Sequence, residues 1–185
     1  MRTVAHLVLT AILIGCGGGG GASDPEPPPP TNDLTGIPDI QGTGSSSPLD
    51  GRSVTISGVV TGDFQETDSD TRRNLQGFFL QDAADGDPDS SDGVFVFDGT
   101  TPGVDVKVGD VVEVSGTVNE YFGETQVQAD SVRITGTGSV QPVPLTLPTA
   151  TSVLNGDGRS IADLERYEGM LVRFEQTLTL SLIHI

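Results

Sequence analysis

Five aspartates, Asp82, Asp85, Asp87, Asp89 and Asp92, fall within the eleven residues "DAADGDPDSSD". Hard cations such as calcium take several carboxylate and carbonyl oxygens, so the spacing marks a candidate calcium loop. The alternative is a solvated turn, in which short carboxylates bond to their own backbone. A second set of residue types suits nucleic acid, because unpaired bases stack on aromatic rings and phosphates pair with Arg or Lys. The rings in the middle of the chain are Phe78, Phe79, Phe95, Phe97, Tyr121 and Phe122, and the nearby cations are Arg72, Arg73, Lys107 and Arg133.

Neither set is specific alone. Asp85, Asp87 and Asp89 have the spacing that opens an EF-hand loop, but Ser90 stands where that loop needs glycine and Val96 where it needs a bidentate glutamate, so this is not an EF-hand. Strand alternation turns half of the rings inward. Phe79 and Tyr121, with Arg72 and Arg73, form the set expected at the surface; cross-strand packing and ordinary surface charge are the competing roles for the same residues.

Catalysis within this chain is excluded on residue type. The two histidines are His6, in an apolar leader, and His184, in the closing residues "LSLIHI", which leaves the folded part without a histidine acid or base. Cys16 is the single cysteine, so there is neither a later thiol nucleophile nor an intrachain disulfide. Glycine-framed serine, phosphate-loop and His/Glu zinc spacings are also missing. A formal charge of -17 argues against non-specific affinity for phosphate backbones.

The elements that would position these residues begin with an export signal. Met1-Arg2 is a short positive start, Val4 to Ile14 is apolar but too short to span a bilayer, and "LIGC" (Leu13 to Cys16) then gives way to glycines. This resembles the lipobox of bacterial lipoproteins. The resemblance implies acylation of Cys16 and an exported lipoprotein held by that lipid on a membrane, at the cell surface or the periplasmic face. Residues 1–16 are thus the signal. Residues 17–38, opening with "GGGGGASDPEPPPPTND", have no apolar periodicity and make a tether, flexible in its glycines and stiff in its prolines.

Residues 39–138 are expected to fold as an all-β, five-stranded, OB-fold-like barrel. "RSVTISGVVTGDF" alternates with Val54, Ile56, Gly58 and Val60 on one face, and "VGDVVEVSGTVNEYFG" does so with Val112, Val114, Gly116 and Val118. "GFFLQDA", "GVFVFDG" and "TQVQADSVRITG" supply three more strands. The mid-strand glycines Gly58 and Gly116 mark places where a closing sheet bends or lets another backbone approach.

Three ordered phrases carry a further resemblance: "IPDIQGTGSSSPLDGRSVTISGVVTGDF", "GFFLQDAADGDPDSSDGVFVF" and "VKVGDVVEVSGTVNEYFGETQV". The set resembles the OB-fold-like module that precedes the catalytic domain of extracellular nucleases in the endonuclease/exonuclease/phosphatase (DNase I-like) family. The likeness covers about Ile37 to Thr137, and "IADLERYEGMLVRFEQTLT" resembles the segment that comes after the module. It implies a parent enzyme that hydrolyses extracellular DNA through a C-terminal catalytic domain holding a divalent metal such as magnesium, with this chain as an accessory piece that touches nucleic acid. A lipobox departs from the secreted members and implies a surface-anchored form. The reading from a different class is a non-enzymatic surface adhesin or carbohydrate-binding module on the same barrel.

Residues 139–179 read as a Pro-punctuated connector and the start of a next region, with Ser160 at the head of a short helix and "EGMLVRFEQTLTL" as a strand launching a further sheet. Residues 180–185, "LSLIHI", match the translation of a transposase adaptor used in shotgun DNA libraries, so the chain is expected to be a truncated piece and His184 to be foreign to it.

Overall fold

The computed structural model describes residues 33–65, 74–83, 85–147, 149, 152–154, 158 and 160–178. The leader with Cys16, the first part of the tether, and Arg72 and Arg73 lie outside the described residues.

Strict alternation makes β1 (Ser53–Phe64) a strand with one wet face and one dry face. Val54, Ile56 and Val60 turn inward and are buried, while Thr55 on the other face meets the Ser115 hydroxyl at 3.0 Å. β4 (Asp110–Tyr121) repeats the pattern, burying Val112, Val114 and Val118. β2 (Gly77–Gln81), β3 (Gly93–Phe97) and β5 (Glu124–Thr137) complete the set.

The strands close in the order β1-β2-β3-β5-β4, with β4 back against β1. Every pairing is antiparallel except β3 with β5. A five-stranded Greek-key barrel of this kind is the OB-type architecture, as the alternation predicts. Closure removes the free sheet edges that a flat five-stranded sheet would leave.

Two mid-strand glycines make that closure possible. A Cβ on Gly58 would sit 2.7 Å from the Gln81 carbonyl oxygen, and one on Gly116 would sit 2.2 Å from that of Gln128. Any side chain there would push apart strands that hydrogen-bonding holds about 5 Å from one another.

The helix α1 (Ile37–Gln41) lies at the seam between tether and module, with Pro38 in its first turn. Ile37 and Ile40 join the barrel core and are fully buried. Burying such a side chain contributes about 1.5–3 kcal/mol, enough to hold one helical turn that could not stand alone. Gln41 fixes its place, donating from Nε2 to the Gly93 carbonyl at 2.6 Å. Gln65 works similarly beyond β1: it accepts from the Val106 N–H at 2.9 Å, donates to the Val104 carbonyl at 3.0 Å and bonds to Asp98.

After the barrel come β6 (Val143–Leu145), β7 (Ser152–Leu154), β8 (Ser160–Ala162) and β9 (Val172–Phe174). β6 runs parallel to β9, and β7 pairs antiparallel with β8. Of the strand expected over "EGMLVRFEQTLTL", the described residues form only the three of β9, paired with the equally short β6. Ser160 does not head a helix; it sits in β8 opposite Leu154, and the helical turn shrinks to a single 3-10 turn, Glu165–Tyr167. Leu164, which precedes that turn, makes no side-chain cap, so nothing lengthens it.

The stretch around this turn lies on the barrel. Leu171 donates its N–H to Gln81 Oε1 at 2.9 Å, and Ser91 donates its hydroxyl to the Glu168 carbonyl at 2.6 Å. Gly93 and Gly169 meet backbone to backbone: a Cβ on Gly93 would lie 2.4 Å from the Gly169 carbonyl carbon.

Candidate ligand groove on the outer face of the barrel

The alternation that sends Phe78, Val94 and Val96 into the core sends Phe79, Phe95 and Phe97 to the outer face of β2 and β3. Phe95 stands opposite Gln126 of β5, and Phe97 opposite Gln128. Next along the sheet, Asn119 of β4 reaches the Gln128 side-chain oxygen at 3.3 Å. Phe95, Phe97, Asn119, Gln126 and Gln128 line a groove of about 640 Å³. That volume lies within the range of small-molecule sites.

The β4–β5 hairpin forms one wall. Tyr121 and Glu124 pair across its base, and the two-residue loop Phe122-Gly123 has φ of 53° and 88°. Positive φ at both loop residues is the type I′ signature, a turn that favours Asn-Gly and strains a bulky ring at its first position. Phe122 is nonetheless 96% exposed, and its ring packs edge-on against Tyr121 at 4.7 Å. The opposite wall is the end of the β1–β2 loop, Asn74 to Gln76. Oligonucleotide- and oligosaccharide-binding barrels use this same face, between the β1–β2 and β4–β5 loops.

The surface set expected from sequence is divided. Tyr121 is exposed at the groove wall. Phe79 faces outward but is half-buried, its ring 5.1 Å from Phe95 and 5.8 Å from Phe64. Alternation gave its direction correctly, and neighbouring rings on the same face cover it. Arg72 and Arg73 lie outside the described residues. The residues that sequence reasoning missed are Asn119, Gln126 and Gln128, whose signal was there as the polar partners of the buried β4 and β5 valines.

Burial raises the Glu124 carboxyl above its ordinary value. None of the described lining residues is Lys or Arg. The groove therefore offers ring faces, carboxamides that both donate and accept, and acceptor-only carboxylate.

The Asp-rich loop has a different order. Asp82, Asp85 and Asp87 accept from the backbone N–H groups of Ala83, Asp87 and Asp89 at 2.6, 2.7 and 2.9 Å. Asp89 pairs with Arg166 at 3.1 Å. Asp92 is buried, which raises its carboxyl pKa, and the charges of Asp85 and Asp82 add to the rise. Among the described residues no three His, Cys, Asp or Glu side chains are grouped to hold a metal ion. Asp85 and Asp87, each accepting from the N–H two residues on, form successive Asx turns.

A second cluster of carboxylates gathers where the 3-10 turn meets the barrel. Glu120 Oε1 accepts from the Ser47 N–H and the Thr125 hydroxyl, each at 2.7 Å, and Glu168 Oε1 accepts from the Thr125 N–H at 2.8 Å. Burial pushes the Glu168 carboxyl up to about 7, with the charges of Glu165, Glu124 and Glu120 adding to the rise.

No protein-family model matches the chain, and no curated protein matches it. Among solved structures it is similar to the hypothetical protein ygiW from E. coli, at 22% identity over 46% of this chain and 77% of that one, with a TM-score of 0.31. It is also similar to asparaginyl-tRNA synthetase from Pyrococcus horikoshii complexed with asparaginyl-adenylate. That match has 18% identity over 52% of this chain and 22% of the synthetase, with a TM-score of 0.33. The OB-type assignment rests on the strand order and closure of the barrel itself.

Proposed function

We propose that this chain is the N-terminal part of an exported, surface-anchored nuclease of the endonuclease/exonuclease/phosphatase family, with the barrel as its accessory OB-type module. One observation supports this above the rest. The phrases that resemble the nuclease module fall in order onto α1, β1, β2, β3, β4 and the start of β5, which together form one closed barrel.

In this reading Cys16 carries the lipid, the Gly/Pro-rich stretch spaces the barrel from the membrane, and hydrolysis belongs to a following domain. That chemistry needs a carboxylate-held divalent metal such as magnesium, and groups that activate water and stabilise the leaving oxygen. The described residues contain no histidine for such work. Extracellular DNA is the substrate of the parent, and any direct contact from this module comes from Tyr121 and the loop that carries Arg72 and Arg73.

The test is to sequence past Thr179 in an independently assembled clone and assay the full-length product for magnesium-dependent DNA hydrolysis. A DNase I-like domain with activity that a chelator removes supports the proposal. A stop codon or adhesive repeats would replace it with the non-enzymatic surface reading.

A further inference from the structure

The segment around the 3-10 turn is held on the barrel mainly by polar contacts. No residue from 162 to 171 is buried, and none of them joins the barrel core. What attaches the segment is the Leu171 N–H on Gln81, the Ser91 hydroxyl on the Glu168 carbonyl, the Thr125 N–H on Glu168 Oε1, and the Arg166 guanidinium on Asp89 and the Pro88 carbonyl. Segments with little buried apolar surface open locally at low cost while a packed core stays closed.

One of these contacts depends on a proton. Glu168 Oε2 is buried with no hydrogen-bond partner. An ionised carboxylate wants donors on both oxygens, whereas a neutral carboxyl can still accept from Thr125 through Oε1. The charges that face Glu168 are all of its own sign: Glu165 from the same turn, Glu120 from β4 and Glu124 from β5. Ser91 and Thr125, which bond to Glu168 from the other elements, do not titrate. Arg166, the cation of the turn, is engaged by Asp89 and Asp163.

The backbone gives the ionised group no room to shift. A Cβ on Gly169 would lie 2.8 Å from the Val94 nitrogen, so the turn is seated directly on β3. Beyond the turn, Leu171 carries the contact onward, since its carbonyl accepts from the Val143 N–H at the start of β6.

We infer that residues 163–171 form an acid-closed latch, docked on the barrel while Glu168 is neutral and released when it is charged, so that the hold of the barrel on the β6–β9 pair follows the surrounding pH. This goes beyond the nuclease reading and does not depend on it.

Hydrogen exchange of the full chain, followed amide by amide from pH 5 to 8 and corrected for the intrinsic rate at each pH, tests the inference. The Leu171 and Thr125 amides should lose protection together, about ten- to hundredfold over that range, while those of Val112 and Val114 keep theirs. Glu168→Gln should leave Leu171 equally protected throughout. Glu165→Gln, on an exposed residue, removes one like charge and should move the transition to lower pH; where Glu168→Gln does not fold, this shift decides the matter.

Protection of Leu171 that is indifferent to pH overturns the inference, as does a loss shared with Val112 and Val114 or a transition that survives Glu168→Gln. Protection restored at pH 8 by calcium chloride overturns it in favour of a cation held among the four carboxylates. None of these outcomes touches the nuclease proposal, which is decided by the sequence and activity beyond the barrel.

Discussion

The Thr125 backbone N–H donates to Oε1 of Glu168 at 2.8 Å, which ties β5 of the barrel to the turn that comes 43 residues later. The second oxygen, Oε2, is buried with no hydrogen-bond partner. The Glu168 carboxyl is therefore held in a place that disfavours its charge, among Glu120, Glu124 and Glu165.

The consequence is a pH dependence with a definite sign. A carboxyl whose folded pKa is raised from 4.5 to about 7 stabilises the folded state fully below 4.5 and loses that contribution as pH rises through about 7. Asp92, Asp98, Glu124 and Glu165 are shifted in the same direction by burial. Thermal melts from acid to neutral pH should show the melting temperature falling as pH rises. Glu168→Gln keeps an acceptor for Thr125 and should flatten the part of the slope near neutrality, leaving the part owed to the other carboxyls. An unchanged slope would mean that Glu168 is not desolvated.

Gly169 separates docking of the turn from folding of the barrel. It has φ of 68°, and a Cβ there would lie 2.8 Å from the Val94 nitrogen. Gly169→Ala should cost about 1–3 kcal/mol at this contact. Trypsin cleavage at Arg166 should accelerate while amide protons of β1 and β4 stay protected. Gly116→Ala, which strikes the β4–β5 ladder itself, should unfold both together.

Phe122 gives a gain in stability. Its positive φ suits asparagine, and its ring is almost fully exposed. Phe122→Asn should raise stability by about 0.4–1 kcal/mol in a denaturant titration.

Gln65 is the polar clamp between the end of β1 and the chain leading to β4. Its side chain answers Val106 N–H, Val104 C=O and Asp98 while itself buried. Gln65→Leu leaves those groups without partners and should cost about 1–3 kcal/mol for each one that water cannot reach. Guanidinium unfolding with an unchanged slope and a lowered midpoint would show it.

The barrel was legible because period-two alternation reports which face is dry. Val54, Ile56, Val112, Val114 and Val118 announce their burial in the sequence, and Gly58 and Gly116 announce close backbone approach. Polar clamps were not legible, since nothing in Gln41, Gln65 or Gln81 distinguishes a buried glutamine from a surface one until its partners are placed. Phe79 shows the limit of alternation: the pattern gives a direction, and whether that direction is wet depends on Phe64 and Phe95, which belong to other strands. The groove escaped notice for a similar reason. Its polar row is assembled from β4 and β5, and its rings from β3 and a hairpin tip.

The strand order also dictates when the barrel can exist. β1 finds its second neighbour only in β4, with Ser53 opposite Thr117, and β3 finds its own in β5, with Phe95 opposite Gln126. Such distant pairings demand loop closure before any contact rewards it, which slows folding. β1 and β3 each lack one neighbour until the β4–β5 hairpin is in place, so that single hairpin seals both flanks of the barrel. Closure of the barrel thus depends on its last hairpin, the one that turns at Phe122 and Gly123.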